Sequence, residues 1–488
     1  MTGEHKAASF PHVEQVPSGT MEPALARDND QGNAAKPHAE VELAVGEAQA
    51  GGDTADGSAG PRTWDKFLML GATLARMGVG LVTFIVLARF LGPAPYGTLA
   101  TAIAYTGFLA IVTDFGLAVY TLRMAAMAPA EAAHIVRNAI ELKALLALIA
   151  APVGLFVLIT VTGPSLVLAY GLAYVGVIAY SMGDLLLSIV RARRRFDIEA
   201  KLVVATSVLL MAGVAIVAAI TRDITAAAAA FAVTRILYLG IILLVLRREL
   251  AVQASPSSRL LQLRTTFQGA KGFATDSILT TLSGQLDVLL FGALLTAHDI
   301  GIYQAGARLV QVIIPFAVVL SSVYMPSLAS ALGSGDNVLF RKISTKLNIE
   351  LVILGLLCGL AFTFVAPQAA RYIYGVKFDS LSILWPGFGA FALLRLTSSS
   401  FGIQLAAIGN IRVRIVASII SSFTFLLAAV YAVPVFGLPA ASDLLALSGL
   451  PSILILGGGL VNSGKWNYTL PICGLIAIAV SILMVCLA

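Results

Sequence analysis

The chain has 488 residues, of which 58% are hydrophobic and only 12% charged, against about 25% charged in a soluble domain. At a mean hydropathy of +0.90 one soluble core cannot hold this apolar surface, and most of the chain calls for lipid as its solvent. That argues against a soluble enzyme, a nucleic-acid-binding domain and a disulfide-rich secreted protein.

Residues 1–60 carry 10 acidic and 3 basic residues, net −7, which leaves 29 basic and 16 acidic residues, net +13, on the remainder. The stretch has no apolar period and no apolar h-region before a cleavage site. Residues 1–62 therefore read as a disordered acidic cytoplasmic tail rather than a signal peptide.

From Phe67 onward, apolar stretches of about 20 residues recur, the length of a bilayer-spanning helix. They fall at 67–90, 97–122, 140–161, 165–190, 202–220, 225–246, 270–295, 303–328, 347–366, 382–408, 413–433, 438–460 and 469–487. This predicts an all-α polytopic membrane protein with 12–14 transmembrane helices. The expected organisation is an N-terminal lobe at 63–246, a cytoplasmic linker at 247–269, a C-terminal lobe at 270–463 and an extra helix at 464–488.

With the amino terminus placed inside, the inner loops collect Arg123, Arg137, Lys143, the basic residues of 191–201, 247–271 and 341–346, Arg412, Arg414 and Lys465. The outer loops keep only Arg222, Arg371 and Lys377. That asymmetry has one sign throughout and sets a cytoplasmic amino terminus. It also explains the basic pI of about 9.2 and the Arg191–Arg195 run without nucleic acid as a partner. The loops are too short for a catalytic domain.

A repeat recurs at an offset of 204: Phe90-Leu-Gly-Pro-Ala-Pro-Tyr-Gly97 after the first span and Leu294-Leu-Thr-Ala-His-Asp-Ile-Gly301 after the seventh. The same element returns after six spans, so the copies share one orientation. Two parallel six-helix lobes facing a central cavity are the expected architecture.

Ionisable residues inside spans disfavour insertion by about 2.5–3.5 kcal/mol each on translocon scales and should face water, a partner or a ligand. The basic set is Arg76, Arg89, Arg235, Arg308 and Arg395. The acidic set includes Asp114, Asp276 and Asp287, with Asp184 and Asp443 beside them. Asp184, seven residues before Arg191, is expected to pair with the 191–195 cluster. Asp114 and Asp287 either neutralise an arginine on a neighbouring span or serve function. Arginine forks pair bidentately with phosphate or carboxylate, so a cavity with these walls suits an anionic ligand. Ser398-Ser-Ser400, Gln404 and Gln285 could hydrogen-bond a sugar or merely bond helix carbonyls, and Gly457-Gly-Gly459 reads as a close helix approach. Cys358, Cys473 and Cys486 lie far apart in apolar runs, with no metal-binding spacing. No nucleotide-binding or hydrolase motif occurs, so no cofactor, metal or enzymatic activity is expected.

Gly71-Ala-Thr-Leu-Ala-Arg76 running into Leu87-Ala-Arg-Phe-Leu-Gly-Pro-Ala-Pro-Tyr-Gly97 resembles the start of the Wzx-type polysaccharide flippases. Asp114-Phe-Gly-Leu117, Asp299-Ile-Gly-Ile-Tyr-Gln-Ala-Gly-Ala-Arg308, Tyr374-Gly-Val-Lys-Phe378 and Leu405-Ala-Ala-Ile-Gly-Asn410 are similar to later parts of that family. The resemblance spans about residues 64–460. It implies the multidrug/oligosaccharidyl-lipid/polysaccharide exporter fold in the bacterial inner membrane and transfer of undecaprenyl-diphosphate-linked oligosaccharide to the periplasmic leaflet by alternating access. It implies diphosphate or acidic-sugar contact by Arg76 and Arg308, then Arg235, Arg395 and Arg89. Ion-coupling or counter-ion roles would fall to Asp114, Asp287 and Asp276. Membrane lipid, a polysaccharide polymerase and a chain-length regulator are the implied partners. The rival readings are a peptidoglycan-precursor flippase, a drug or metabolite antiporter of the same superfold and, from another class, a membrane glycosyltransferase or polymerase.

Overall fold

In the computed structural model, residues 63–128, 131–162, 166–193, 195–250, 259–465 and 468–486 are described. The acidic tail and residues 255–258 lie outside them. The described chain is helical throughout. The first lobe comprises α1 (Thr63–Leu91), α2 (Pro93–Asp114), α3 (Leu117–Met127), α4 (Ala132–Thr162), α5 (Val167–Ala192), α6 (Phe196–Thr221) and α7 (Ile224–Leu250). The second comprises α8 (Arg259–Leu294), α9 (Ala297–Val310), α10 (Ile314–Gly333), α11 (Asn337–Leu360), α12 (Ala366–Tyr374), α13 (Trp385–Ile408), α14 (Ile411–Phe436), α15 (Pro439–Leu447), α16 (Gly449–Asn462) and α17 (Thr469–Cys486).

Among the described residues, eleven helical segments are long and apolar enough to cross a bilayer, and α17 is one of them. Helices α4 and α8, of 31 and 36 residues, are longer than a span and carry polar stretches within them. Large apolar side chains such as Leu148, Phe156 and Ile220 are exposed on the outside. Lipid satisfies such a surface, because a helix bonds its own backbone internally.

Several boundaries differ from the hydropathy reading, each for a local reason. The second span breaks into α2 and α3 at Phe115 and Gly116, which have φ of 44° and 70°. Gly116 packs so closely on α8 that a Cβ there would come within 2.6 Å of the Phe273 carbonyl carbon, and Phe115 stacks on Phe267 at 4.5 Å. The linker expected at 247–269 is helical at both ends, since α7 runs to Leu250 and α8 starts at Arg259. Lys143 was expected in an inner loop. It lies instead about three turns inside α4, which starts at Ala132.

The repeat copies meet at the contact between α2 and α9. A Cβ on Gly97 would fall 2.0 Å from the Ala297 carbonyl oxygen, and one on Gly301 would fall 2.0 Å from the Pro93 carbonyl oxygen. Each glycine thus packs against the other copy's backbone, a close helix approach that only a residue without a side chain permits. The core around this seam holds Leu99, Phe291, Ile302, Tyr303 and Phe388. Helix α17 docks on α13 and α11 through a buried polar knot. Asn348 accepts from Ser400 at 3.0 Å and Gln404 at 2.7 Å, and donates to Thr469 at 3.4 Å.

Candidate functional site

Three helices of the first lobe bring two arginines onto one aromatic ring. Arg76 on α1 donates from Nη1 to the Tyr180 hydroxyl at 3.4 Å. Arg235 on α7 places its guanidinium 4.2 Å from the centre of the Tyr180 ring and 5.3 Å from that of Phe231. Tyr238 backs Tyr180 from 5.4 Å. The aromatic faces hold a desolvated cation by their quadrupoles, so Arg235 stays oriented without an acid. Neither arginine has a carboxylate within salt-bridge distance among the described residues.

Tyr180 also lines a cavity of about 480 Å³ between the first lobe and α8, whose polar wall includes Asp114, Ser181, Asp184 and Ser277. Both carboxylates are already matched by cations. Asp184 takes Arg191 at 2.9 Å, and the same guanidinium holds Glu199 at 2.8 Å. This is the pairing that the seven-residue spacing predicts. Asp114 pairs not with an arginine but with Lys143, whose ammonium also reaches Ser181. With its acids engaged and two guanidinium groups held by aromatics alongside, this region of the first lobe suits an anion.

The remaining predicted residues do not join this cluster. Arg89 is exposed and donates to the carbonyls of Tyr372 and Ile373 at 3.2 and 3.3 Å, clasping α1 to α12. Arg308 lies over the Phe84 ring at 4.1 Å and donates to Gln311 at 3.2 Å. Asp287 accepts from Tyr303 at 2.8 Å in the same seam. Arg395 stands exposed on α13 with no acid partner among the described residues. The Asp276 side chain lies outside the described residues. Ser398 and Ser399 bond the Arg395 carbonyl at 3.1 and 2.8 Å, and Gln404 belongs to the Asn348 knot, so these serve helix packing. Gly459 sits where a Cβ would meet Val413 at 2.6 Å, a close helix approach.

Sequence reasoning missed Tyr180 and Lys143. Nothing marks Tyr180 among its apolar neighbours, whereas Lys143 carried a usable signal. Continuing the helix back from the apolar run through Val136 and Ala139 to Ala132 places those small or apolar residues in the core and Lys143 deep in the bundle.

Eleven helical segments long and apolar enough to cross a bilayer, with a cavity between the first lobe and α8, make this a multi-pass membrane protein. The lipid II flippase MurJ in an inward closed conformation superposes on 86% of this chain and 98% of its own, with a TM-score of 0.62 at 13% identity. An inward-facing multidrug resistance MATE family transporter does so over 88% and 98%, with a TM-score of 0.54 at 14% identity. A transporter from Pyrococcus furiosus covers 81% and 94%, with a TM-score of 0.53 at 14% identity. At such identities the likeness is one of fold, that of the MOP superfamily. The chain itself belongs to the polysaccharide biosynthesis protein family (Polysacc_synt), whose model matches residues 65–332. No curated protein matches it significantly.

Proposed function

We propose that this protein flips undecaprenyl-diphosphate-linked oligosaccharide repeat units from the cytoplasmic to the periplasmic leaflet of the bacterial inner membrane, for surface polysaccharide synthesis. The observation that carries the reading is the Arg76–Tyr180–Arg235 cluster, two guanidinium groups without acid partners among the described residues, beside a cavity whose own acids are matched. A diphosphate presents the multiple anionic oxygens that two planar forks recognise. With a cytoplasmic amino terminus, the cavity lies in the cytoplasmic half and the Gly97–Gly301 crossing closes the periplasmic half. In the proposed alternating-access cycle this arrangement would serve as the inward-facing state, with the lipid tail left in the bilayer. A polymerase and a chain-length regulator would act on the delivered units.

The test measures undecaprenyl-linked repeat units in cells lacking the gene and in cells carrying Arg76→Ala or Arg235→Ala. Each variant loses a charge-assisted contact of about 1.5–3 kcal/mol, roughly a 10- to 150-fold weakening. The expected result is repeat units trapped on the cytoplasmic leaflet at normal protein level, with Arg→Lys retaining part of the export. Normal export in both Ala variants would remove the pair from the site. Loss of polysaccharide without trapped units would argue for a defect in polymerisation.

A further inference from the structure

Lys143 is completely buried, and its ammonium is bonded to two residues of the cavity wall, Asp114 and Ser181. Its ammonium has three protons to place, and three oxygens converge on it: Oδ1 of Asp114, the Ser181 hydroxyl at 2.6 Å and the Ser181 carbonyl at 3.3 Å. The Asp114 side chain is 19% exposed while that of Lys143 is 0% exposed. Both Asp114 and Ser181 line the cavity wall, so the ammonium sits directly behind the surface an incoming ligand would meet. The second Asp114 oxygen faces the start of α3, where the Ala118 amide donates to it at 3.5 Å.

A carboxylate, a hydroxyl and a carbonyl drawn to one point form the kind of all-oxygen cage that a hard inorganic cation prefers. We propose that Lys143 is a tethered counter-cation, its ammonium filling an oxygen cage at Asp114 and Ser181 that would otherwise take up an exchangeable monovalent cation from the cavity. The cage is supplied by α2 and α5 and its occupant by α4, so one covalent cation replaces a diffusible one. The Asp114 wall then stays neutral in every state of the cycle, and anion binding at Arg76 and Arg235 is uncoupled from cation uptake there. This goes beyond the flippase reading and does not depend on which cargo is carried.

The test needs no substrate. Full-length protein in nanodiscs is melted in NaCl and in choline chloride at equal ionic strength. Three proteins are compared: wild type, Lys143→Ala, and the charge-free pair Asp114→Asn/Lys143→Met. A ligand that binds only the folded state raises the melting temperature by mass action. Lys143→Ala is expected to gain a saturable upward shift in Na⁺ that choline does not reproduce. Wild type and the charge-free pair are expected to respond to Na⁺ equally. A Lys143→Ala protein indifferent to Na⁺ overturns the cage. A Na⁺ response present in wild type and absent from the charge-free pair also overturns the proposal, since an exchangeable cation then reaches Asp114 with Lys143 in place. If Lys143→Ala folds in neither salt, Lys143→Ser, which also vacates the cage and leaves Asp114 charged, is melted in its place and read by the same outcomes.

Discussion

The glycine crossing gives the sharpest prediction about how the two halves move. Gly97→Ala would put a methyl carbon 2.0 Å from the Ala297 carbonyl oxygen and 2.6 Å from the Gly301 nitrogen, where ordinary contact begins at 3.4 Å. Both obstacles are backbone, so no side chain can swing aside and the two helices must part by more than an ångström. Overpacking of this kind costs about 1–3 kcal/mol. Charged against the closed seam alone, it lowers the population of that state about 5- to 150-fold relative to the parted one. Gly301→Ala meets the Pro93 carbonyl oxygen at the same 2.0 Å and should act equally. The double variant should add little, because one opening relieves both clashes.

Thiol labelling reads the seam directly. Thr101 is buried beside the crossing, facing Gly292 of α8, and Thr101→Cys nearly preserves its size. In a chain whose native Cys358, Cys473 and Cys486 are replaced by Ala, a membrane-impermeant maleimide should label this position slowly. Adding Gly97→Ala should speed labelling by the factor above. Unchanged labelling with an unchanged melting temperature would show that the helices absorb the methyl by repacking. A lowered melting temperature without faster labelling would show damage to the fold rather than opening of the seam. Either result refutes the argument.

Two further predictions concern the cluster and the last helix. Tyr180→Phe keeps the face under Arg235 and loses only the long 3.4 Å bond from Arg76, a change below about 1 kcal/mol. Tyr180→Leu also loses a cation–π contact of about 1–2 kcal/mol, so titration with a polyprenyl diphosphate should rank wild type and Phe well ahead of Leu. Asn348→Leu removes the acceptor shared by Ser400 and Gln404, at a cost of about 1–3 kcal/mol for the stranded polar groups. Maleimide labelling of Cys473, buried on α17, should rise, while exposed Cys486 labels as before. Equal Cys473 protection in both proteins would show that apolar packing alone seats α17.

What the sequence reveals about this molecule follows from what each signal encodes. The apolar lengths and the 204-residue repeat report on solvent and topology, and they yielded the membrane fold and the repeated Pro93–Gly97 and Ala297–Gly301 elements. They said nothing of contact, and only the structure places each of the two glycines on the other copy's backbone. Buried charge was visible as residue type inside apolar runs, but partners were not. Asp114 lies 29 residues from Lys143 and 38 separate Lys143 from Ser181, distances over which helical period carries no information. The count of basic residues on the inner side even took Lys143 as a loop residue, because a lysine near the start of a long apolar run has the signature of a membrane boundary. The difference between a boundary lysine and a buried one is whether oxygens await it, and those oxygens belong to other helices. The arginines divide for the same reason. Arg76 and Arg235 converge on Tyr180 because α7 packs directly on α5 and the long Arg76 side chain reaches across to it from α1, while Arg89 and Arg308 belong to the seam between the lobes. Equal chemistry in sequence therefore becomes a cation held by aromatic rings at one place and a clasp at another, decided by which helix stands opposite.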